Sequence, residues 1–115
     1  MSLKSISLPL KVEKINDFAF YNCQNLKTIR IPKNTVIVGD SSFAECVGLI
    51  HIKFNKNYLN RIGSFAFKKC SITKLCLPKS LSSIGNYSFS NCEELKYVRF
   101  SDNMTRIAKG AFEGC

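Results

Sequence analysis

Six cysteines and a single histidine carry most of the side-chain chemistry that this 115-residue sequence could perform. Thiols can hold a metal, pair as disulfides, or attack an electrophile when a base takes their proton. A tetrahedral metal site needs four ligands converging on one point, usually begun by a Cys-x-x-Cys pair. Cys23, Cys46, Cys70, Cys76, Cys92 and Cys115 contain no such pair. Thiol catalysis needs a nucleophile, a base and a group that orients the base. His51 could serve only Cys76, which lies in another outward row of a neighbouring segment, and no third partner accompanies them. Gly39, Gly63 and Gly85 recur with the rest of the pattern and read as turn residues, not as a phosphate loop. The sequence therefore predicts no enzyme, no metal and no cofactor.

The elements that hold these cysteines repeat along the chain. Phe20, Phe43, Phe67, Phe89 and Phe112 stand just before Cys23, Cys46, Cys70, Cys92 and Cys115, and just after Ile15, Val38, Ile62, Ile84 and Ile107. A second string keeps step with it: LKSISL from Leu3, LKTIRI from Leu26, LIHIKF from Leu49, ITKLCL from Ile72 and LKYVRF from Leu95. The starts of these strings are about 23 residues apart, the sign of a stacked repeat architecture. Asn55 to Arg61 carries one extra residue and the step from Cys70 to Ile72 one fewer, so the two changes cancel.

Each unit divides in two. In the first string apolar and outward residues alternate, the period of a half-buried strand, and Pro9, Pro32 and Pro78 follow as stops. Strands are expected over about 5–8, 28–31, 51–54, 74–77 and 97–100. The Phe–Cys half begins with Asp17, Asp40, Ser64 or Asn86, side chains that cap a short helix or turn. Ala19 and Cys23 are spaced to share one helical face, so about one helical turn is expected there.

A unit reading L-x-x-I-x-L-P and then I-x-x-x-A-F-x-x-C resembles the BspA-like, or Treponema-type, leucine-rich repeat. The match runs from Leu3 to Cys115. Asn55 and Ser101 depart from it where Pro is usual, and Ser71 precedes a shortened approach to Ile72. The resemblance implies an α/β solenoid, right-handed, of five 23-residue units in one segment spanning 1–115. A parallel sheet would line the concave face, and short helices or turns the convex face. It also implies a binding or adhesion role, of the kind found in surface or secreted proteins.

Stacking explains the cysteines more simply than chemistry does. Neighbouring strands lie about 4.8 Å apart, so five of the thiols fall in a row and fill the core beside each Phe. Disulfides between rungs would need particular side-chain directions. Cys76 is off this pattern, at the position of Ser7, Arg30, Lys53 and Arg99, and should face outward among cations that favour its thiolate.

The outward strand positions carry the functional signal. They are Lys4, Ser5 and Ser7; Lys27, Thr28 and Arg30; Ile50, His51 and Lys53; Thr73, Lys74 and Cys76; and Lys96, Tyr97 and Arg99. None is acidic, although the chain as a whole has 17 basic and 8 acidic residues. About two basic residues would fall on these positions by chance, and several times that number do. Glu13, Asp17, Asp40, Glu45, Glu93, Glu94 and Glu113 lie in the other half of the units, leaving Asp102 just past a strand. A solvated lysine face that merely keeps the sheet soluble is the plain explanation. Against it stands a binding face of Lys27, Arg30, His51, Lys53, Lys74, Cys76, Lys96, Tyr97 and Arg99 for a protein with an acidic surface. The alternative is a polyanion: a sulfated glycan, a nucleic acid or an anionic membrane. Tyr97 is the one aromatic on the face available for base stacking. No small-molecule substrate is indicated.

The ends and the address follow from the same pattern. No apolar run approaches the roughly 20 residues of a membrane span. MSLKSISLPLK lacks the core of a signal peptide, so the chain as written reads as cytoplasmic, or as cell-surface or secreted if it belongs to a longer protein of the resembling kind. Neither end carries a polar capping repeat, which predicts a longer array or end-to-end self-association. Asn86 and Asn103 begin tripeptides of the glycosylation type.

Overall fold

The computed structural model describes residues 5–54 and 58–115. In chain order its strands are β1 (Ser5–Ile6), β2 (Lys14–Ile15), β3 (Thr28–Arg30), β4 (Ile37–Val38), β5 (His51–Lys53), β6 (Arg61–Ile62), β7 (Lys74–Cys76), β8 (Ser83–Ile84) and β9 (Tyr97–Arg99). Odd and even strands form separate parallel walls, as a coil that returns once per repeat requires. β2-β4-β6-β8 is one continuous strip, whereas the odd strands divide into β1-β3-β5 and β7-β9.

Register follows the repeat. Ser5 pairs with Thr28, Thr28 with His51, and Lys74 with Tyr97. In the even strip Ile37 pairs with Arg61 and Arg61 with Ser83, which absorbs the extra residue before Arg61 and then the missing one.

The expected parallel sheet of odd strands is present but in two pieces, and the shortened step explains the break. Elsewhere Leu26, Leu49 and Leu95 donate their amides to the carbonyls of Cys23, Cys46 and Cys92 at 3.2, 3.0 and 3.1 Å, closing a turn that leads into the strand. Ile72 follows Cys70 too soon to do so. Ser71 takes over the crossing, its amide donating to Leu49 O at 2.9 Å and its hydroxyl to Val47 O at 2.6 Å. β7 therefore enters without pairing to β5.

The Phe–Cys half is made of turns. Of the two expected forms, short helices or turns, no helix occurs among the described residues. Ala19 N donates to Asn16 O, Tyr21 N to Phe18 O and Cys23 N to Phe20 O, an overlapping run of three-residue steps. Phe18 and Asn22 have φ of 59° and 62°, the left-handed values that a type II turn needs at its third residue and that an α-helix excludes. The pair recurs at Ser41 and Glu45, Phe65 and Lys69, Tyr87 and Asn91, and Gly110 and Gly114. Alternate amides then point along the stack: Phe18 N donates to Asp40 O at 3.0 Å, Phe20 N to Ser42 O at 2.7 Å and Asn22 N to Ala44 O at 2.8 Å. The expected caps serve the stack as well. Asp17 Oδ1 accepts from Asp40 N at 2.8 Å, and Asp40 Oδ1 from Ser64 N at 2.9 Å, each across to the next rung.

Between the walls lies a ladder of rings. Phe20, Phe43, Phe67, Phe89 and Phe112 stack with centroids 5.1 to 5.6 Å apart and planes within 14° of parallel. Phe43, Phe67 and Phe89 are fully buried with Ile29, Leu49, Ile62, Ile72 and Leu75 around them. A flat ring repeated at the spacing of the backbone ladder lets each rung bury the next without changing its shape, which is why one residue type recurs.

Candidate binding face

Alternation along the odd strands sends Ile29, Ile52, Leu75 and Val98 inward and their neighbours into solvent. Lys27, Arg30, His51, Lys53, Lys74, Cys76, Lys96, Tyr97 and Arg99 are all exposed, while Thr28 beside them is half-buried. Lys4 lies outside the described residues. Parallel pairing sets Arg30 opposite Lys53 and Thr28 opposite His51 on one piece of the sheet. On the other it sets Lys74 opposite Tyr97 and Cys76 opposite Arg99. Lys53 and Cys76 are not register partners, because the break between β5 and β7 falls between them. The face is thus two basic strips side by side, not one ladder of four charged strands.

Its electrostatics are one-sided. Arg30 and Lys53 are like charges directly across a strand pair, an arrangement that costs stability. The ion pairs among the described residues join Lys68 and Lys69 to Glu45 on the turn wall, at 4.0 and 3.8 Å, and leave the strand-face cations without a carboxylate. Lys74 Nζ lies 5.4 Å from the centre of the Tyr97 ring, so this cation and the one aromatic of the face rest against each other.

The thiols sort by wall. All six cysteines are free. Cys46 Sγ donates to Phe20 O at 3.0 Å, Cys70 Sγ to Phe43 O at 3.3 Å, Cys92 Sγ to Phe67 O at 3.2 Å and Cys115 Sγ to Phe89 O at 3.2 Å. The row expected from the repeat is therefore a second hydrogen-bonded ladder beside the rings. Burial pushes the Cys46 thiol up to about 11 and that of Cys92 up to about 12, and drives Cys70 well above the ordinary thiol range. Cys115, at the exposed end, is raised by the partial burial it retains. The buried thiols of Cys46, Cys70 and Cys92 stay protonated and unreactive at neutral pH. Cys76 alone of the six stands on the strand face, exposed as its position predicts. Among the described residues no group of three or more His, Cys, Asp or Glu side chains converges as a metal site would require.

Sequence reasoning missed two grooves where the odd strands end. One, of about 490 Å³, lies between Ser5–Leu10 and Thr28–Lys33, and the other, of about 420 Å³, between Cys76–Ser80 and Arg99–Asp102. The signal was present in the residues after each strand, Leu10, Lys33 and Lys79, which the repeat pattern treats as loop. Of the two glycosylation-type tripeptides, both Asn86 and Asn103 are exposed, and the Asn103 side-chain amide donates to Lys79 O at 2.6 Å.

A family model for the BspA type leucine rich repeat region matches residues 1–115 in six copies, one more than the Phe–Cys period counts. Among solved structures, a leucine-rich repeat protein from Bacteroides ovatus is similar at 35% identity and a TM-score of 0.90, over 97% of this chain and 29% of that one. A T. pallidum leucine rich repeat protein, TpLRR, is similar at 28% identity and a TM-score of 0.90, over 98% of this chain and 55% of that one. The pneumococcal vaccine antigen PcpA shares the fold at 19% identity and a TM-score of 0.74, over 92% of this chain and 30% of that one. The chain spans from about 29% to about 55% of the length of these proteins. No curated protein matches it.

Proposed function

Because the chain belongs to the BspA-type leucine-rich repeat family, we propose that it is a non-enzymatic binding module whose basic strand face holds an acidic surface of a partner protein, in adhesion or a similar contact. The observation that carries this reading is the lack of any acid on that face together with its uncompensated cations. A face kept only for solubility gains nothing from setting Arg30 against Lys53. Fixed exposed charge instead steers an oppositely charged partner and selects against others. The polyanion reading needs the same charge but more: a nucleic acid would stack on aromatic side chains, and Tyr97 is already covered in part by Lys74.

The test compares two quadruple variants of the full chain. Arg30→Glu, Lys53→Glu, Lys74→Glu and Arg99→Glu reverse the strand face, whereas Lys14→Glu, Lys68→Glu, Lys69→Glu and Lys109→Glu reverse the same number of charges elsewhere. Binding is read against a synthetic peptide of alternating glutamate pairs and leucines, with heparin as competitor. The strand-face set should lose binding, and the other set should retain most of it. Equal loss in the two sets would assign the interaction to net charge and end the proposal.

A further inference from the structure

The strand face stops at a groove with two unlike sides. Pro9 and Pro32, which have no amide hydrogen to continue a ladder, turn the chain away after β1 and β3, and the groove opens between the two departing segments. Its floor is apolar: Ile6 and Leu8 are half-buried, Ile31 is buried, and Leu10 overhangs them with 69% of its surface exposed. Its rim is cationic, with Arg30, Lys33 and Lys53, and no acidic residue lines it. None of these three cations has a carboxylate partner among the described residues, where both ion pairs belong to Glu45. The groove at the same repeat position further along has Lys79 and Arg99 but also Asp102, which offsets part of their charge.

We infer that the groove of Leu8, Leu10, Arg30, Lys33 and Lys53 is the anchoring point of the face, and that it takes an extended acidic peptide segment carrying an apolar side chain between carboxylates. This rests on the proposal that the face holds an acidic protein. The chemistry favours a peptide over a bare polyanion. A sulfated glycan or a nucleic acid would satisfy the rim and leave Leu8 and Leu10 in water. A peptide with a leucine flanked by glutamates covers the floor with its apolar side chain while its carboxylates meet the rim. Arg30 can grip one carboxylate in the paired geometry of its guanidinium, and the two lysines act as point charges on either side.

Two labelled peptides test this against the full chain by fluorescence anisotropy: acetyl-Glu-Glu-Leu-Glu-Glu-amide and the same peptide with serine for leucine. The leucine peptide should bind wild type about fivefold more tightly, the effect of covering part of one apolar side chain. Leu10→Ser should erase that difference, and Lys33→Glu should weaken both peptides by about tenfold. An unchanged urea midpoint in both variants keeps unfolding out of the result. Equal affinity for the two peptides, lost in Arg99→Glu but kept in Lys33→Glu, would overturn the groove and leave the wider face proposal standing. Saturable binding of heparin with no binding of either peptide would overturn both.

Discussion

Raising the pH should dismantle the thiol ladder, and the sign follows from the direction of the shifts. In the unfolded chain a cysteine ionises near pH 9, whereas folded Cys46 holds its proton to about 11 and Cys92 to about 12. Between those values the unfolded state binds fewer protons than the folded one, so stability falls as pH rises. The loss begins near pH 9 and continues to the folded values, at about 1.4 kcal/mol per pH unit for each thiol fully withheld from water. At about pH 10.5 Cys92 would have removed up to about 2 kcal/mol, and Cys46 and Cys70, raised by burial in the same sense, add to it. That is a large part of the 5–15 kcal/mol that holds a typical domain together. The comparison is between wild type and Cys92→Ala, followed by urea unfolding in reductant at several pH values from 8 upward. The variant forfeits the bond to Phe67 O, seen at 3.2 Å, and should be roughly 1 kcal/mol or more weaker at pH 8. Its stability should then fall less steeply above pH 9. Lysine and tyrosine titration is common to both proteins and cancels in the difference. Parallel curves for the two would refute the claim that Cys92 is buried as a neutral thiol.

Phe67 is fully buried with a ring on either side at 5.1 and 5.2 Å, so Phe67→Ala should cost about 3–5 kcal/mol in urea unfolding, and a loss under 1 kcal/mol would mean the rings do not carry the stack. Gly39→Ala should be destabilising by about 1–3 kcal/mol in the same assay, because the added carbon would sit 2.5 Å from Asp17 Oδ1 and 2.6 Å from Ile15 O, and a neutral result would show that the rungs are looser than this. A thiol-reactive probe applied to the native protein should modify Cys76 well before Cys46, Cys70 and Cys92, as mass spectrometry of the digest would reveal, and even labelling of all four would contradict the assignment of faces.

The repeat made much of this fold legible. All five odd strands begin at the residue expected of them, because strict alternation between an apolar and an outward residue leaves one way to face the core. The even strip was not legible. Each of its strands is two residues long, and Ile15, Val38, Ile62 and Ile84 read as isolated core positions without a period to identify. The turn wall misled in a specific way. Ala19 and Cys23 have helical spacing, yet Phe18 and Asn22 adopt left-handed angles, and nothing in a phenylalanine announces that choice. It is imposed by the ladder of amides to the next rung, which one unit of sequence does not contain. The outward residues of the strand face were legible residue by residue, but their arrangement was not. The single missing residue between Cys70 and Ile72 was visible as a spacing change, and its consequence, a sheet divided between His51 and Lys74, depends on pairing across two rungs.

An acidic partner is proposed to meet the strand face and no other. Backbone amide shifts of the isotope-labelled chain, titrated with the leucine-bearing acidic peptide, locate the contact directly. The largest changes should fall at 5–10, 28–33 and 51–53, with smaller ones at 74–76 and 97–99. Changes confined to the turns at 17–22, 40–45, 64–69 and 86–91 would contradict it.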